Sequence, residues 1–123
     1  MNWLNRLLRP TPSTPVDSDE SVPEAANPSM ALRSGTVVID VRSVGEFDSG
    51  HIEGAIGLPL DHIQHDITRL VPDMGTPLLL YCRSGARSGR ACEIVTKLGY
   101  RAARNGGAVG ALALSLGRRV VRT

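Results

Sequence analysis

The run Leu78-Leu79-Leu80-Tyr81 leads straight into Cys82, with Pro77 before it and the polar, glycine-bearing stretch Arg83-Ser84-Gly85-Ala86-Arg87-Ser88 behind it. A continuous apolar run of this kind reads as a strand buried on both faces, and such strands belong to parallel sheets covered by helices. After the loop the pattern changes to Ala91, Ile94, Val95 and Leu98, which is helical spacing, and Gly99 closes it. Cys82 therefore falls at the end of a buried strand and just before a helix N-terminus. Unpaired backbone N–H groups there, with Arg83 and Arg87 alongside, favour the ionised sulfur. An anion bound at the same place would share those donors. The plain alternative is a small buried cysteine closing a core strand.

The other segments fit around that unit. Thr36 to Val41 is a β-branched run suited to a second buried strand, and a short strand is expected at Ala55 to Leu58. Arg42 to Leu58 otherwise reads as loop. Leu60, Ile63, Ile67, Leu70 and Val71 recur at helical spacing with Asp61 near the start and Pro72 at the end. A short strand is expected around Tyr100 to Ala103, followed by a turn at Asn105-Gly106-Gly107. From Val109 to Leu116 the apolar pattern leaves helix and strand equally open. Strands alternating with helices define an α/β domain with a mostly parallel sheet. Residues 10–28 hold five of the eight prolines among Ser, Thr, Asp and Glu, a composition that cannot bury enough surface to offset chain entropy. Residues 1–27 are accordingly expected to be a disordered or linker arm, 28–117 the folded domain with a short helical turn from Pro28 to Arg33, and 118–123 a basic tail. Within the arm, Trp3, Leu4, Leu7 and Leu8 share a helical face over residues 2–9, beside Arg6 and Arg9. That face offers contact with a membrane surface, against the plainer reading of a frayed terminus.

Composition narrows the classes. The chain has 123 residues, room for one domain. Its four aromatic residues, Trp3, Phe47, Tyr81 and Tyr100, leave the core to Leu, Val, Ile and Ala. Residues 1–81 carry five basic and eleven acidic side chains, residues 82–123 nine basic and one acidic. The basic half lacks interleaved aromatics and any groove-reading motif, which points to small anions and away from nucleic acid. Two cysteines without CxxC spacing form neither a disulfide framework nor a metal set, and a reducing, cytoplasmic location is expected. Cys92 falls inside the helix after the loop and reads as a packing residue, with a resolving thiol as the alternative. His62 and His65 are spaced to share a metal, but no third ligand accompanies them and they read as a solvated helix face. No metal or cofactor is expected, and no apolar span is long enough to cross a bilayer.

Two segments taken together resemble the rhodanese family of sulfurtransferases. One is Ile39-Asp40-Val41-Arg42, then Glu46-Phe47, then Gly50-His51-Ile52-Glu53-Gly54-Ala55-Ile56 leading to Leu58-Pro59. The other is Tyr81-Cys82-Arg83-Ser84-Gly85-Ala86-Arg87-Ser88, continued by Ala91, Leu98-Gly99-Tyr100 and Asn105-Gly106-Gly107. The resemblance covers roughly residues 28–117. It implies a five-stranded parallel sheet with helices on both faces and the cysteine loop at the carboxyl ends of the strands, the usual ligand position in open α/β sheets. It implies that Cys82 carries sulfur as a persulfide, taken from a small anionic donor such as thiosulfate and given to cyanide or a thiol, including a thiol on a partner protein. Arg83, Ser84, Gly85, Ala86 and Arg87 would surround the substrate sulfur. Asp40, Arg42 and Glu46 match positions that support the loop by charge pairing, and His51 belongs to a structural segment. The chain departs from the family at Val109-Gly110-Ala111, where a tryptophan is common, and between Ser13 and Met30, where a first strand is poorly marked.

Arg83 and Arg87, with Arg90 one turn into the helix, are expected to draw a doubly charged donor. Two other functions use the same features. A binding or relay module would hold the persulfide for a single partner protein. A cysteine phosphatase would bind phosphate in such a loop, but the resembling phosphatase loops place five residues between cysteine and arginine, and this chain has four between Cys82 and Arg87.

Overall fold

The computed structural model describes residues 32–123. The expected N-terminal arm, its amphipathic face at 2–9 and the start of the turn at Pro28 lie outside those residues. Among these residues the first element is strand β1, Val37–Asp40, followed by helix α1, Val44–Ser49, the two-residue strands β2, His51–Ile52, and β3, Ile56–Gly57, and helix α2, Leu60–Leu70. Then come β4, Leu78–Cys82, α3, Ala86–Leu98, β5, Ala103–Ala108, α4, Val109–Leu116, and β6, Val120–Val121.

The main sheet has the order β3-β1-β4-β5, and all three pairings are parallel. Its faces follow from the alternation of side chains along β4. Leu78, Leu80 and Cys82 point to one side, where Ile39 and Val41, the α2 residues Ile63 and Ile67, and the α3 residues Ala91 and Val95 complete the larger core. Leu79 and Tyr81 point to the other side and pack with Val38, Ile52, Leu112 and Ala113 under α4 and β2. Helices thus cover both faces, and the whole of β4 is buried.

Several expectations need correction. Among the described residues the parallel sheet has four strands where five were expected, and β2 pairs antiparallel with β6 in a separate two-stranded ribbon. That pairing draws residues expected to form a basic tail into the fold, and Glu53 N–H donates to the Arg119 carbonyl at 2.9 Å. The supposed loop after Arg42 contains α1. Ser43 caps it: its hydroxyl accepts from Glu46 N–H at 3.2 Å, while the Glu46 carboxylate accepts from Ser43 N–H at 3.1 Å. The expected turn at Asn105-Gly106-Gly107 is instead part of β5. Leu80 pairs with Asn105 and Tyr81 with Gly107, so Gly106 is the extra residue of a β-bulge. A Cβ at Gly106 would stand 2.8 Å from Leu112 Cδ2, closer than carbon atoms approach, so only glycine lets α4 lie against the bulge. The segment 109–116, open between helix and strand by pattern, is helix α4.

Candidate functional site

The end of β1 sets the floor of the site. Asp40 is fully buried and Arg42 nearly so, and they neutralise each other: Arg42 Nη2 stands 2.7 Å from Asp40 Oδ2, and Arg42 Nε 3.0 Å from Asp40 Oδ1. A paired, hydrogen-bonded charge is the form in which a buried carboxylate is tolerated. The guanidinium lies over the Tyr81 ring, 5.9 Å from its centroid, and the Tyr81 hydroxyl accepts from Ile52 N–H at 3.0 Å. The residue before Cys82 is thereby tied to the ribbon strand as well as to the sheet.

Beyond Cys82 the chain turns through exposed Arg83 and Ser84 to Gly85, whose left-handed conformation, φ 99°, starts α3. This turn aims backbone donors at the sulfur. Gly85 N–H lies 3.0 Å from Cys82 Sγ, and Ser88 N–H and the Ser88 hydroxyl each lie 3.4 Å from it. Burial pushes the thiol pKa up, but hydrogen bonds from the Ser88 hydroxyl and from the N–H groups of Ser88, Ser84 and Gly85 outweigh it and bring Cys82 down to about 7. Directed hydrogen bonds therefore carry most of a shift that the sequence reading shared between the N–H groups and the arginines.

Arg87 has another partner. Its fork reaches the Glu46 carboxylate, with Nη1 to Oε1 at 2.7 Å and Nη2 to Oε2 at 3.1 Å. Arg87 and then Ser43 hold the Glu46 carboxyl down to about 2. One acidic side chain thus closes the cap of α1 and grips the first turn of α3, which fixes the loop between them. Ala86 is exposed on that first turn, and Arg83 and Arg90 point into solvent. Beside the pair runs a groove of about 240 Å³ lined by Val41, Ser43, Val44, Leu60, His62 and Arg87. A larger hollow of about 550 Å³, bordered by Thr36, Val37, Glu53 and Arg118, sits at the other end of the sheet from Cys82.

The remaining candidates lie apart from the sulfur. His51 stacks on Phe47 at 3.7 Å between ring centroids, and its Nδ1 donates to the Phe47 carbonyl at 2.8 Å. His62 and His65 are exposed on α2. Cys92 packs against the larger core, and burial followed by the charge of Glu93 raises its thiol to about 11. Two residues missing from the sequence-derived site do take part. Ser88 stands one position beyond the expected loop but donates to the sulfur. Asn105 reaches the loop from β5 because the bulge turns it there: its Oδ1 lies 2.6 Å from Ser88 Oγ and its Nδ2 donates to the Gly85 carbonyl at 3.0 Å. The Cys-x-x-x-x-Arg-Ser spacing was a readable signal for Ser88. A bulge has no comparable signature.

The site that this α/β fold presents is a thiol at the focus of converging N–H groups, at the carboxyl end of a parallel strand. The chain belongs to the Rhodanese-like domain family, whose model matches residues 24–107, and is an enzyme of the rhodanese type. It is 36% identical over 76 residues to the thiosulfate sulfurtransferase PspE of Escherichia coli (strain K12), an alignment covering 62% of this chain and 73% of that protein. The thiosulfate sulfurtransferase GlpE of Shewanella oneidensis is 32% identical over 71 residues, covering 58% and 68%. A solved structure of a rhodanese with anions from E. coli superposes with a TM-score of 0.65 at 31% identity, covering 72% of this chain and 99% of that one.

Proposed function

We propose that the protein transfers a sulfane sulfur from thiosulfate or a similar small anion to cyanide or a thiol, with Cys82 as the carrier. The observation that carries this reading is the Cys82 sulfur at the focus of the Gly85 and Ser88 donors, with its pKa brought to about 7. About half of such a thiol is ionised at neutral pH, so no separate base is needed. In the first step the thiolate attacks the outer sulfur of thiosulfate. The Sγ–S bond forms, the sulfur–sulfur bond of the donor breaks, and its electron pair leaves with sulfite. In the second step cyanide or an acceptor thiolate attacks the outer sulfur of the persulfide, and the pair of the Sγ–S bond returns to Cys82 as thiolate. This is two-step covalent catalysis.

The residue is only 1% exposed, so the acceptor meets the outer sulfur, one bond nearer the loop mouth, and not Sγ itself. Exposed Arg83 and Arg90 are the cations available to draw the donor, while Arg87 serves the loop through Glu46. That commitment also argues against phosphate hydrolysis, which would need the arginine on the phosphoryl oxygens. Two free cysteines suit a reducing compartment.

The test is intact mass before and after thiosulfate. The parent protein is expected to gain one sulfur and to lose it to cyanide, and Cys82→Ser to gain none. Sulfur uptake that persists in Cys82→Ser, or Cys82-dependent hydrolysis of an aryl phosphate by the parent, would overturn the reading.

A further inference from the structure

The hydroxyl of Ser88 has one proton and two places to put it. On one side is Cys82 Sγ at 3.4 Å, on the other Asn105 Oδ1 at 2.6 Å. The orientation of the Asn105 amide follows from partners that can each act in only one way. Gly107 N–H lies 3.0 Å from Oδ1 and can only donate, and the Gly85 carbonyl lies 3.0 Å from Nδ2 and can only accept. Oδ1 is therefore an acceptor toward Ser88, and the short Oγ–Oδ1 bond requires the serine proton. While that bond is made, Ser88 Oγ turns a lone pair toward Sγ, an arrangement that fits the neutral thiol as donor. An ionised sulfur fits the opposite arrangement, with the hydroxyl swung onto Sγ and Oδ1 left with Gly107 alone.

We propose that Asn105 is a positioning residue that sets the nucleophile's ionisation by competing with the Cys82 thiolate for the Ser88 hydroxyl proton. The bulge at Gly106 exists in part to bring that competitor to the loop. Asn105 withholds the proton from the thiol state and yields it to the thiolate. It recovers it once Sγ is bonded to a second sulfur and carries no charge, so the loop rearranges by one hydroxyl rotation per half-reaction. This last point rests on the persulfide reading above, and the competition itself does not. The charged groups around the loop are Arg87 with Glu46 from α1, Asp40 with Arg42 from the end of β1, and exposed Arg83 and Arg90. Neither ion pair uses the Ser88 hydroxyl.

The experiment titrates the thiolate by its ultraviolet absorbance in four proteins that all carry Cys92→Ser: the parent, Ser88→Ala, Asn105→Ala and the double variant. Ser88→Ala is expected to raise the Cys82 pKa. Asn105→Ala is expected to lower it by about half to one pH unit, the size of one neutral hydrogen bond released to the thiolate. In the Ser88→Ala background the same substitution is expected to give no downward shift, leaving only whatever loosening the lost Gly85 clamp causes. Equal shifts in the two backgrounds, or an upward shift in the presence of Ser88, would overturn the competition and leave Asn105 a clamp. Should Asn105→Ala fail to fold, Asn105→Ser is read in the same cycle, with a smaller shift of the same sign expected. No sulfur donor enters the titration, so a failure of sulfur uptake and a failure of this proposal are told apart.

Discussion

Cys82 and Cys92 occupy the same corner of the molecule, one ending β4 and the other on the helix that follows, and both are packed against the larger core. Burial raises both thiols, yet one comes to about 7 and the other to about 11. The difference is direction of hydrogen bonding. Cys82 lies where a left-handed glycine and the first turn of α3 aim N–H groups and a hydroxyl at one point, while Cys92 sits beyond the first turn, where the helix has used its own N–H groups. The lower thiol pKa of Cys82 therefore traces to the helix start and the turn that feeds it, and proximity to arginine is secondary.

The strongest break of that contrast is to exchange which cysteine is present. Cys82→Ser is expected to lose all measurable sulfur transfer, and Cys92→Ser to keep it within about twofold. At pH 7 the ionised fraction of Cys92 is on the order of one part in ten thousand, set by a pKa near 11. Sulfur found on Cys92 in a Cys82→Ser protein would end the distinction. For the parent, transfer is expected to rise with pH through about 7 and level off above it, since the thiolate is the reacting form.

A smaller effect separates donor alignment from mere burial. Gly85→Ala forces a side chain into the left-handed region at φ 99°, which costs about 1–2 kcal/mol. The melting temperature should fall and the Cys82 pKa should rise as the Gly85 N–H leaves its line. Gly110→Ala, inside α4 with no neighbour within 4 Å of the added carbon, serves as the control and should be neutral or stabilising. A Gly85→Ala protein as stable and as reactive as the parent would show that the aimed N–H is dispensable.

The smallest effect asks whether charge matters to the sulfur at all. Glu46→Gln weakens the hold on Arg87 and frees a cation beside the loop. Little change in the Cys82 pKa is expected, and a drop of a full unit would restore the arginine to the leading place. The same variant reports on acid stability. The folded Glu46 carboxyl titrates near 2, below its ordinary value of about 4.5, so its contribution is present above pH 4.5 and lost as pH falls toward 2. The pair is partly exposed and its contribution is below about 1 kcal/mol, so urea midpoints compared at pH 6 and pH 3 should show only a slightly smaller loss in Glu46→Gln.

What could be read from the sequence follows the length and regularity of the patterns. The Leu78–Cys82 run and the spacing of Ile63 and Ile67 are long enough for periodicity to speak, and they locate β4, α2 and the loop. Helix α1 was missed for want of an apolar stripe, although Ser43 and Glu46 already spelled its capping box. In α4 nearly every residue is apolar, so the alternation at Leu112, Leu114 and Leu116 misleads: Leu112 is buried while Leu114 is 82% exposed. Asn105-Gly106-Gly107 looks like a turn because the bulge here, like many glycine turns, uses a positive φ, at Gly107 84°. The two-residue strands β2 and β6 carry no periodicity whatever. In the candidate site, the position of Cys82 and its loop between β4 and α3 was legible, whereas the pairing of Arg87 with Glu46 and the reach of Asn105 depend on contacts between segments distant in the chain.

The pairing of β2 with β6 has a consequence for how the molecule comes into being. A growing polypeptide that has emerged as far as Gly117 already holds β1, β3, β4, β5 and the cysteine loop, but His51 and Ile52 still lack the strand they bond to. Contacts that join such distant positions form late and slowly. The ribbon therefore cannot close during synthesis until Val120 and Val121 arrive, and until then β2 presents an unpaired edge open to a wrong neighbour.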